Sequence, residues 1–244
     1  MNDSKASELF EGWNDTLILS CLQGYMGELV TDNVDKPASA MINSGDFCFF
    51  AGNPNTEFFS SICGYKLLAP KDKPWEEAIE NYYGKRVNKI LRYAIKKEPD
   101  VFDKEKLTSF INRLPESYEL TFFNEDIYNM ACNEAWSADL CSRFPTYAEY
   151  REKAFGTAIL YEGKLVSGAS PYGIYDGGID IEIDTKPEFR QKGLATACGA
   201  KLILACLDKG IYPGWDAHDL RSVALAEKLG YHLDHPYVTY ELSV

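Results

Sequence analysis

A change of hydrophobic period within residues 179–210 constrains the fold of this chain more than any other feature. Isoleucines occupy every second position from Ile179 to Ile183, which predicts a strand with one apolar face. The helical spacing that follows predicts an amphipathic helix whose apolar stripe is formed by Leu194, Cys198, Leu202 and Cys206. Gly210 stands at the position of a helix C-terminal cap. The segment therefore predicts a strand, a loop and a helix in immediate succession.

The loop between this strand and this helix is predicted to bind an anion. From Arg190 to Ala195 it reads Arg-Gln-Lys-Gly-Leu-Ala. The first N–H groups of a helix have no partner inside the helix, and they attract pyrophosphate groups. Gly193 lets the main chain approach such a ligand closely, and Ala195 keeps the next turn slim. An ordinary strand-to-helix turn is the alternative, so the order of the surrounding elements decides the interpretation.

The hexad Arg-x-x-Gly-x-Ala, with the strand and the Pro-Glu-Phe-Arg run before it, resembles the acetyl-CoA signature of the GNAT superfamily of N-acetyltransferases. The run Ser222–Tyr231 resembles the superfamily's last helix and its Gly-aromatic end, so the resemblance covers about residues 118–244. Residues 45–52 resemble the N-terminal region of a GNAT subfamily that includes the zwittermicin A acetyltransferase. The resemblance implies a mixed, mostly antiparallel sheet flanked by helices, with acetyl-CoA as co-substrate.

The order of predicted elements gives the same α/β fold class. Helices, antiparallel strands and then a strand–helix–strand unit follow one another from Tyr118 onward, which is typical of an α/β sandwich. Upstream, residues 46–51 fit a strand, residues 75–83 and 103–114 fit helices, and residues 86–95 fit either structure.

A join is predicted where proline and polar residues interrupt the apolar pattern, at Leu114–Ser117. We expect an N-terminal α/β region of unknown role over residues 1–115 and a GNAT acetyltransferase domain over residues 116–244. The N-terminal region is either a separate small domain or an elaboration packed on the second half.

Charge and composition exclude several classes of partner. Lys and Arg number 25 against 37 Asp and Glu, a net charge of −12, which argues against nucleic acid as a partner. The acidity suits a cationic amine substrate, although a solvated acidic surface is the commoner explanation. The N-terminus is too polar for a signal peptide and no apolar run approaches membrane-spanning length, so we expect a cytoplasmic protein without membrane contact. The oligomeric state is left open.

Cysteine and histidine usage argues against a metal site. The 7 cysteines include no CxxC pair, and the 3 histidines show no clustered ligand spacing. We therefore expect buried free thiols in a reducing compartment, and no bound metal.

The cofactor is expected to be held mainly by backbone. The loop from Gln191 to Thr196 would bind the pyrophosphate, while the side chains of Arg190 and Lys192 either add charge or are simply solvated. The resemblance implies that main-chain groups of Ile183 and Thr185 pair with the pantetheine arm like an added strand. The predicted cofactor-binding residues are thus Ile183, Thr185, Arg190, Gln191, Lys192, Gly193, Leu194, Ala195 and Thr196.

The catalytic base is predicted from the acidic face of the same strand. Asp180, Glu182 and Asp184 alternate with the isoleucines and share one face. Three carboxylates are costly to bury unless they are paired or line a wet cleft, and the resemblance implies a sheet that splays open beside this strand. Glu182 is the predicted base, with a pKa raised by like charges, and a plainly solvated face is the alternative. His218 is a second candidate, or an exposed loop histidine.

The sequence departs from the pattern of the GNAT family on the predicted last helix. Many GNAT enzymes carry there a Tyr that protonates the departing thiolate, and the matching position is Ala226. Asp219 is interpreted as the cap of this helix, and Tyr231 as a core residue. The proton would then come from the amine or from water.

The sequence predicts an N-acetyltransferase that moves an acetyl group from acetyl-CoA to the amine of a small molecule. The absence of the Tyr keeps a catalytically silent acyl-CoA-binding or sensor module as the alternative. Rossmann-like nucleotide binding is disfavoured, because the loop lacks the G-x-G-x-x-G spacing and follows antiparallel strands.

Overall fold

The computed structural model describes residues 3–242, which fold into two compact units. The first unit comprises the described residues up to Arg92 together with those from Pro236 onward, and the second comprises Tyr93–His235. The predicted join near Leu114–Ser117 lies inside the second unit. Proline and polar residues there mark a loop, whereas the division between the units depends on strand pairing that is remote in sequence. A functional division at residue 115 stays a prediction.

The described chain contains both helices and strands along its whole length. The elements as far as the first crossing between units are α1 (Asp3–Leu9), α2 (Thr16–Leu22), β1 (Glu28–Thr31), β2 (Ser39–Ser44), β3 (Phe47–Gly52), β4 (Lys66–Pro70), α3 (Lys73–Tyr83) and β5 (Val87–Ile95). The elements that follow are α4 (Lys104–Asn112), β6 (Tyr118–Phe122), α5 (Glu125–Asn133), α6 (Tyr147–Lys153), β7 (Thr157–Tyr161), β8 (Lys164–Tyr175), β9 (Gly178–Thr185), α7 (Leu194–Lys209), β10 (Tyr212–Gly214), β11 (Asp216–Ala217), α8 (Leu220–Leu229) and β12 (Leu233–Leu242).

The strands of the first unit form a mixed sheet in the order β1-β2-β3-β4-β12-β5. β3 and β4 run parallel, and β12 pairs antiparallel with β4, where Tyr240 lies opposite Leu68. The predicted strand at residues 46–51 is confirmed as β3, and the predicted helix at residues 75–83 as α3. The fully buried Trp75 of that helix packs against the sheet, so this unit has its own core.

The second unit contains a sheet in the order β10-β9-β8-β7-β6. β9 and β10 are parallel, whereas the other neighbours are antiparallel. The short β11 pairs with the end of β5, with Ala217 opposite Tyr93. The predicted α/β class, a mixed and mostly antiparallel sheet flanked by helices, is confirmed.

α7 packs on the apolar face of β9. Its predicted stripe is confirmed, because the four residues that define it are all buried: Leu194, Cys198, Leu202 and Cys206. At Gly199 the helix approaches so closely that a Cβ atom would meet Ile183 Cδ1 and Leu229 Cδ1. Gly210 ends the helix in the left-handed conformation, with a φ of 70°, as predicted for a cap. The odd-numbered side of β9 is thereby closed.

An aromatic cluster packs behind the other face of the sheet. The ring centroid of Tyr150 in α6 lies 5.5 Å from that of Phe123, 5.7 Å from that of Tyr128 and 5.3 Å from that of Phe144. Its hydroxyl shares a hydrogen bond of 2.9 Å with Ser170 Oγ on β8. The hydroxyl of Tyr150 is therefore held at a defined position against β8.

Gly156 lies where this cluster leaves no room for a side chain. A Cβ atom there would meet the Tyr150 hydroxyl, and would lie 2.8 Å from the carbonyl oxygen of Ala169. We expect Gly156→Ala to lower the free energy of unfolding by about 1–3 kcal/mol, as measured by urea denaturation. In a Tyr150→Phe background the cost should fall, because one of the two clashing groups is gone. A variant as stable as the wild type would contradict this packing.

The seven cysteines, all among the described residues, form no disulfide bond. Burial is confirmed for Cys48, Cys141, Cys198 and Cys206. It is wrong for Cys63 and Cys132, which are exposed, and for the half-buried Cys21. An apolar neighbourhood in the sequence does not decide which side chains the fold leaves at its surface.

Groups suited to a metal ion and helices suited to a membrane are both missing from the described residues. Nowhere in residues 3–242 do three or more His, Cys, Asp or Glu side chains form a group that could hold a metal ion. The helices of the same residues all lack the length or the apolar character needed to cross a membrane.

Candidate active site

β9 has a strand neighbour on both sides only over its first three residues. On one side β10 runs parallel to it, and the last pair is Gly214 opposite Asp180. On the other side β8 stays paired as far as Thr185. Among the described strands, none pairs with the β10 side of β9 beyond Asp180. The sheet is therefore open along one edge of β9, from Ile181 to Thr185.

Main-chain groups of odd-numbered residues face this open edge. The carbonyl of Gly177 accepts the N–H of Tyr212, from the β10 side, at 2.7 Å. Because backbone groups alternate between the two sides of a strand, those of Ile183 and Thr185 point the same way. The Thr185 carbonyl also accepts a hydrogen bond of 3.2 Å from Arg190 Nε. An extended ligand placed here would pair with β9 as an additional strand.

The N-terminus of α7 has no capping side chain. Other helices begin with a side chain that accepts a backbone N–H: Asp15, Asp72, Asp103, Asn124, Thr146 and Asp219. α7 begins instead after Gly193, whose φ of 79° is left-handed. Gln191 is left-handed as well, with a φ of 61°, which is uncommon for a residue with a side chain. The N–H groups of residues 194–196 thus meet neither a cap nor a helical acceptor.

A cavity of about 110 Å³ lies beside this helix start. It is lined by Phe110, Arg113, Leu114, Lys192, Gly193, Thr196, Ala197 and Lys228. Lys228 Nζ donates to Thr196 Oγ1 at 3.2 Å, which brings its charge to the first turn of α7. We refer to these eight lining residues as the basic cavity. Sequence reasoning found its residues in the hexad loop and missed Arg113 and Lys228.

The opposite face of β9 carries three half-buried carboxylates: Asp180, Glu182 and Asp184. In the register with β8, Glu182 lies opposite Ser170 and Asp184 lies opposite Gly168. A 3-10 turn at residues 138–140 covers this position, since a Cβ atom at Gly168 would lie 2.7 Å from Leu140 Cδ1. The carboxylates therefore form neither a plainly solvated face nor a buried one.

Asp184 titrates far from the ordinary range of an aspartate. Burial, together with a smaller contribution from the negative charge of Asp139, raises its pKa to about 6 against the opposing effect of Arg190. Asp139 belongs to the 3-10 turn that covers this face. A carboxyl group with a pKa of about 6 can exchange a proton near neutral pH, which is what general base catalysis requires.

Nearly the whole chain matches a known protein family. The family described as GNAT acetyltransferase matches residues 7–240. The chain belongs to the GNAT acetyltransferase family. This confirms the predicted superfamily, whereas membership of the zwittermicin A subfamily stays a prediction.

Individual GNAT relatives are similar over the full length. The structure of a GCN5-related N-acetyltransferase-like protein from Streptococcus suis is 41% identical, with a TM-score of 0.95 and 98% of each chain covered. The uncharacterized N-acetyltransferase YdfB of Bacillus subtilis strain 168 is 26% identical, with 92% of this chain and 89% of that protein covered. A GCN5-related N-acetyltransferase from Kribbella flavida is 14% identical, with 91% and 92% covered and a TM-score of 0.59, and shares the fold.

The predicted cofactor-binding residues of this GNAT chain fall into two groups. Ile183 and Thr185 lie on the open edge of β9, and residues 190–196 form the loop and first turn of α7. Leu194 is 1% exposed, so only its backbone can reach a ligand. Arg190, Gln191 and Lys192 are exposed. The structure places the two groups at the two ends of the connection from β9 to α7, and their contact with a cofactor stays a prediction.

On the last helix, many GNAT enzymes carry a Tyr that protonates the thiolate, and the residue at the matching position here has no acidic proton. Ala226 is fully buried in α8. Tyr231 is a core residue, as predicted, and its hydroxyl donates to the carbonyl of Pro213 at 2.7 Å. Burial holds the pKa of Tyr231 well above that of an ordinary tyrosine. Neither residue can protonate a departing thiolate.

His218 is an exposed residue just after β11. The neighbouring Asp219 is confirmed as the N-cap of α8, because its carboxylate accepts the N–H groups of Arg221 and Ser222. A catalytic role for His218 stays a prediction.

The raised pKa of Asp184 predicts a cost in stability at neutral pH. Its value of about 6 in the folded protein lies above the ordinary 3.8, so the folded state binds the proton more tightly. That contribution to stability is complete below pH 3.8 and is lost as the pH rises through about 6. We expect Asp184→Asn, which has no charge to bury, to gain about 2 kcal/mol over the wild type between pH 4 and pH 7.

Chemical denaturation at both pH values measures this difference. Asp176→Asn, at an exposed turn, is the matched control. A constant difference between the wild type and Asp184→Asn across the range would show that Asp184 is solvated.

Proposed function

We propose that this protein transfers an acetyl group from acetyl-CoA to a primary amine of a small molecule. The open edge of β9 beside the uncapped start of α7 is the observation that carries the proposal. An unpaired strand edge suits an extended arm with amide groups, and free helix N–H groups suit a diphosphate. Acyl-CoA molecules share a pantetheine diphosphate, which contains both the extended amide arm and the diphosphate.

The donor and the acceptor use different parts of β9, the open edge and the carboxylate face. Odd-numbered residues offer main-chain groups at the open edge, and Ile183 and Thr185 hold the donor there. Gly193 and the amides after it bind the diphosphate, while acetyl-CoA supplies the activated thioester. The even-numbered face presents carboxylates to the acceptor. The acceptor would therefore arrive as an ammonium ion that these charges attract.

Glu182 is the proposed base on this face. It lies between two other carboxylates, opposite the hydrogen-bonded Ser170. Removal of one ammonium proton by Glu182 frees the nitrogen lone pair, which attacks the thioester carbonyl, and the C–S bond breaks. Asp184, with a pKa of about 6, can take up the proton or supply the negative charge that keeps the amine in place. The thiolate then takes a proton from the amine side or from water, since Ala226 offers none.

The proposals for the acceptor class and the location rest on the carboxylate face, the N-terminal resemblance and the cysteines. The carboxylate face favours a cationic small molecule over a neutral or anionic one. The N-terminal resemblance to the zwittermicin A subfamily suggests an amino-acid-like or antibiotic amine. Seven cysteines without a disulfide bond suit a reducing compartment, so we propose a cytoplasmic enzyme.

A catalytically silent acyl-CoA-binding module is the second candidate, and Ala226 is the observation that favours it. Incubation with acetyl-CoA and a panel of amines distinguishes the two, with free CoA and acetylated amine followed by mass spectrometry. Detection by mass avoids thiol reagents, which would react with the exposed Cys63 and Cys132. Release of CoA that depends on an amine supports the enzyme. Binding of acetyl-CoA without turnover on any amine would support the silent module.

A further inference from the structure

We infer that the basic cavity is a phosphomonoester site, and that it recognises the 3′-phosphate of coenzyme A. The inference rests on the proposed use of acetyl-CoA and goes beyond it. The hexad loop accounts for a diphosphate, whereas the cavity adds residues from α8 and from the end of α4.

The charge of the cavity is opposite to that of the protein. The chain has a net charge of −12, yet the described lining of the cavity holds three cations and no carboxylate. Arg113, Lys192 and Lys228 form no ion pair with any carboxylate among the side chains that the structure describes, those of residues 5–242. A surface that is merely solvated would mix both signs, so this concentration of positive charge favours an anionic ligand.

Three separate elements bring the cations together. Arg113 follows α4, Lys192 lies in the hexad loop, and Lys228 lies in the last turn of α8. Arg113 Cζ lies 5.9 Å from the ring centroid of Phe110, and Lys228 Nζ lies 5.4 Å from the same centroid. Two cations on one ring repel each other, and an anion between them would remove that repulsion.

The size and chemistry of the cavity suit one phosphate group. Its volume of about 110 Å³ is well below the roughly 300–1,000 Å³ of pockets that enclose a drug-sized molecule. A phosphomonoester carries a charge of about −1.5 to −2 at pH 7, so three cations can balance it. Arginine can bind two phosphate oxygens at once, and lysine adds a point charge. The cavity therefore fits a terminal phosphate rather than a complete nucleotide.

This arrangement makes the site specific for acyl donors that contain the complete coenzyme A molecule. A pantetheine arm attached to a carrier protein has no 3′-phosphate, and neither has dephospho-CoA. Both would still pair with the open edge of β9, but they would leave the basic cavity empty. The cavity would thus select among donors that carry the same acyl group.

Calorimetric titration of the full chain with CoA and with dephospho-CoA tests the inference. The wild type should bind CoA about 10- to 100-fold more tightly, as expected for charge-assisted hydrogen bonds to one phosphate. Arg113→Gln combined with Lys228→Gln should weaken CoA binding by that factor and leave the affinity for dephospho-CoA within about twofold. Lys106→Gln combined with Lys153→Gln removes the same charge at exposed positions outside the cavity and should change neither affinity.

The possible outcomes separate this inference from the proposed function. Equal affinity of the wild type for both ligands would overturn the phosphomonoester site and leave acetyl-CoA as the donor. Equal weakening of both ligands by the double variant would mean that the cavity holds the diphosphate, which also overturns the inference. Absence of binding by either ligand to the wild type would contradict the proposed function itself. Circular dichroism melting confirms that each variant is folded.

Discussion

Replacing Glu182 with glutamine is expected to lower the rate constant of acetyl transfer by about 10²–10⁴-fold. Glutamine keeps the shape of the side chain and cannot accept the proton of an ammonium ion at neutral pH. The affinity for CoA should not change, because the donor is held by main-chain groups at the open edge of β9 and by the start of α7, not by the carboxylate face. Single-turnover kinetics with saturating acetyl-CoA and calorimetry of CoA separate these two quantities.

The control for this variant is Glu188→Gln, an exposed glutamate just beyond the same strand. The wild-type rate should rise with pH through the pKa of a group that the Glu182→Gln variant lacks. A variant that keeps both the rate and the pH profile would mean that Glu182 is not the base. Asp184→Asn would then be the next variant to measure, because the pKa of Asp184, about 6, is suited to the same task.

Gly193→Asp is expected to weaken CoA binding by at least about 100-fold. A carboxylate at the uncapped start of α7 would occupy the helix N–H groups itself and would repel the diphosphate. The left-handed φ of 79° at Gly193 costs the variant some stability, but it should still fold, because a Cβ atom there meets no other part of the protein within 4 Å. Calorimetry with CoA measures the loss, and thermal melting measures the stability.

Two controls distinguish charge from backbone strain. Gly193→Asn adds similar bulk at the same left-handed position without the charge, so its loss of affinity should be smaller. Gly210→Asp places the same residue at the other end of α7, where φ is also left-handed and a Cβ atom is equally free of contacts. It should bind CoA as the wild type does. Unchanged affinity in folded Gly193→Asp would remove the loop from the cofactor site.

The strand, loop and helix at the centre of the second unit could be predicted because their signals are local. Alternating isoleucines, the glycine at the start of α7 and the glycine at its end each determine structure within a few residues. The cap at Asp219 and the core position of Tyr231 are local in the same sense. Apolar and acidic residues alternate along β9, so the separation of its acidic face from its apolar face could be predicted without coordinates.

The rest of the site depends on contacts between residues remote in sequence. The charge that helps to raise the pKa of Asp184 belongs to Asp139. No sequence signal near β9 indicates that the turn containing Asp139 lies beside it. Arg113 and Lys228 meet because the end of α4 and the end of α8 pack beside the same turn of α7. The spacing of Phe110 and Arg113 is the one signal available, since residues three apart share a helix face. That signal alone does not say what lies opposite.

The return of β12 to the first unit sets an order in which the protein can be completed on the ribosome. β12 lies between β4 and β5, and its Tyr240 is 1% exposed in the core of that unit. The ribosome makes residues 3–92 first, at about 5–20 residues per second, yet their sheet lacks its inner strand until all of Tyr93–His235 has followed. The second unit is continuous and can fold in one pass, whereas the first waits with unpaired strand edges that invite association with other chains. A chain released after residue 235 would thus carry a complete second unit and an incomplete first unit with unpaired strand edges.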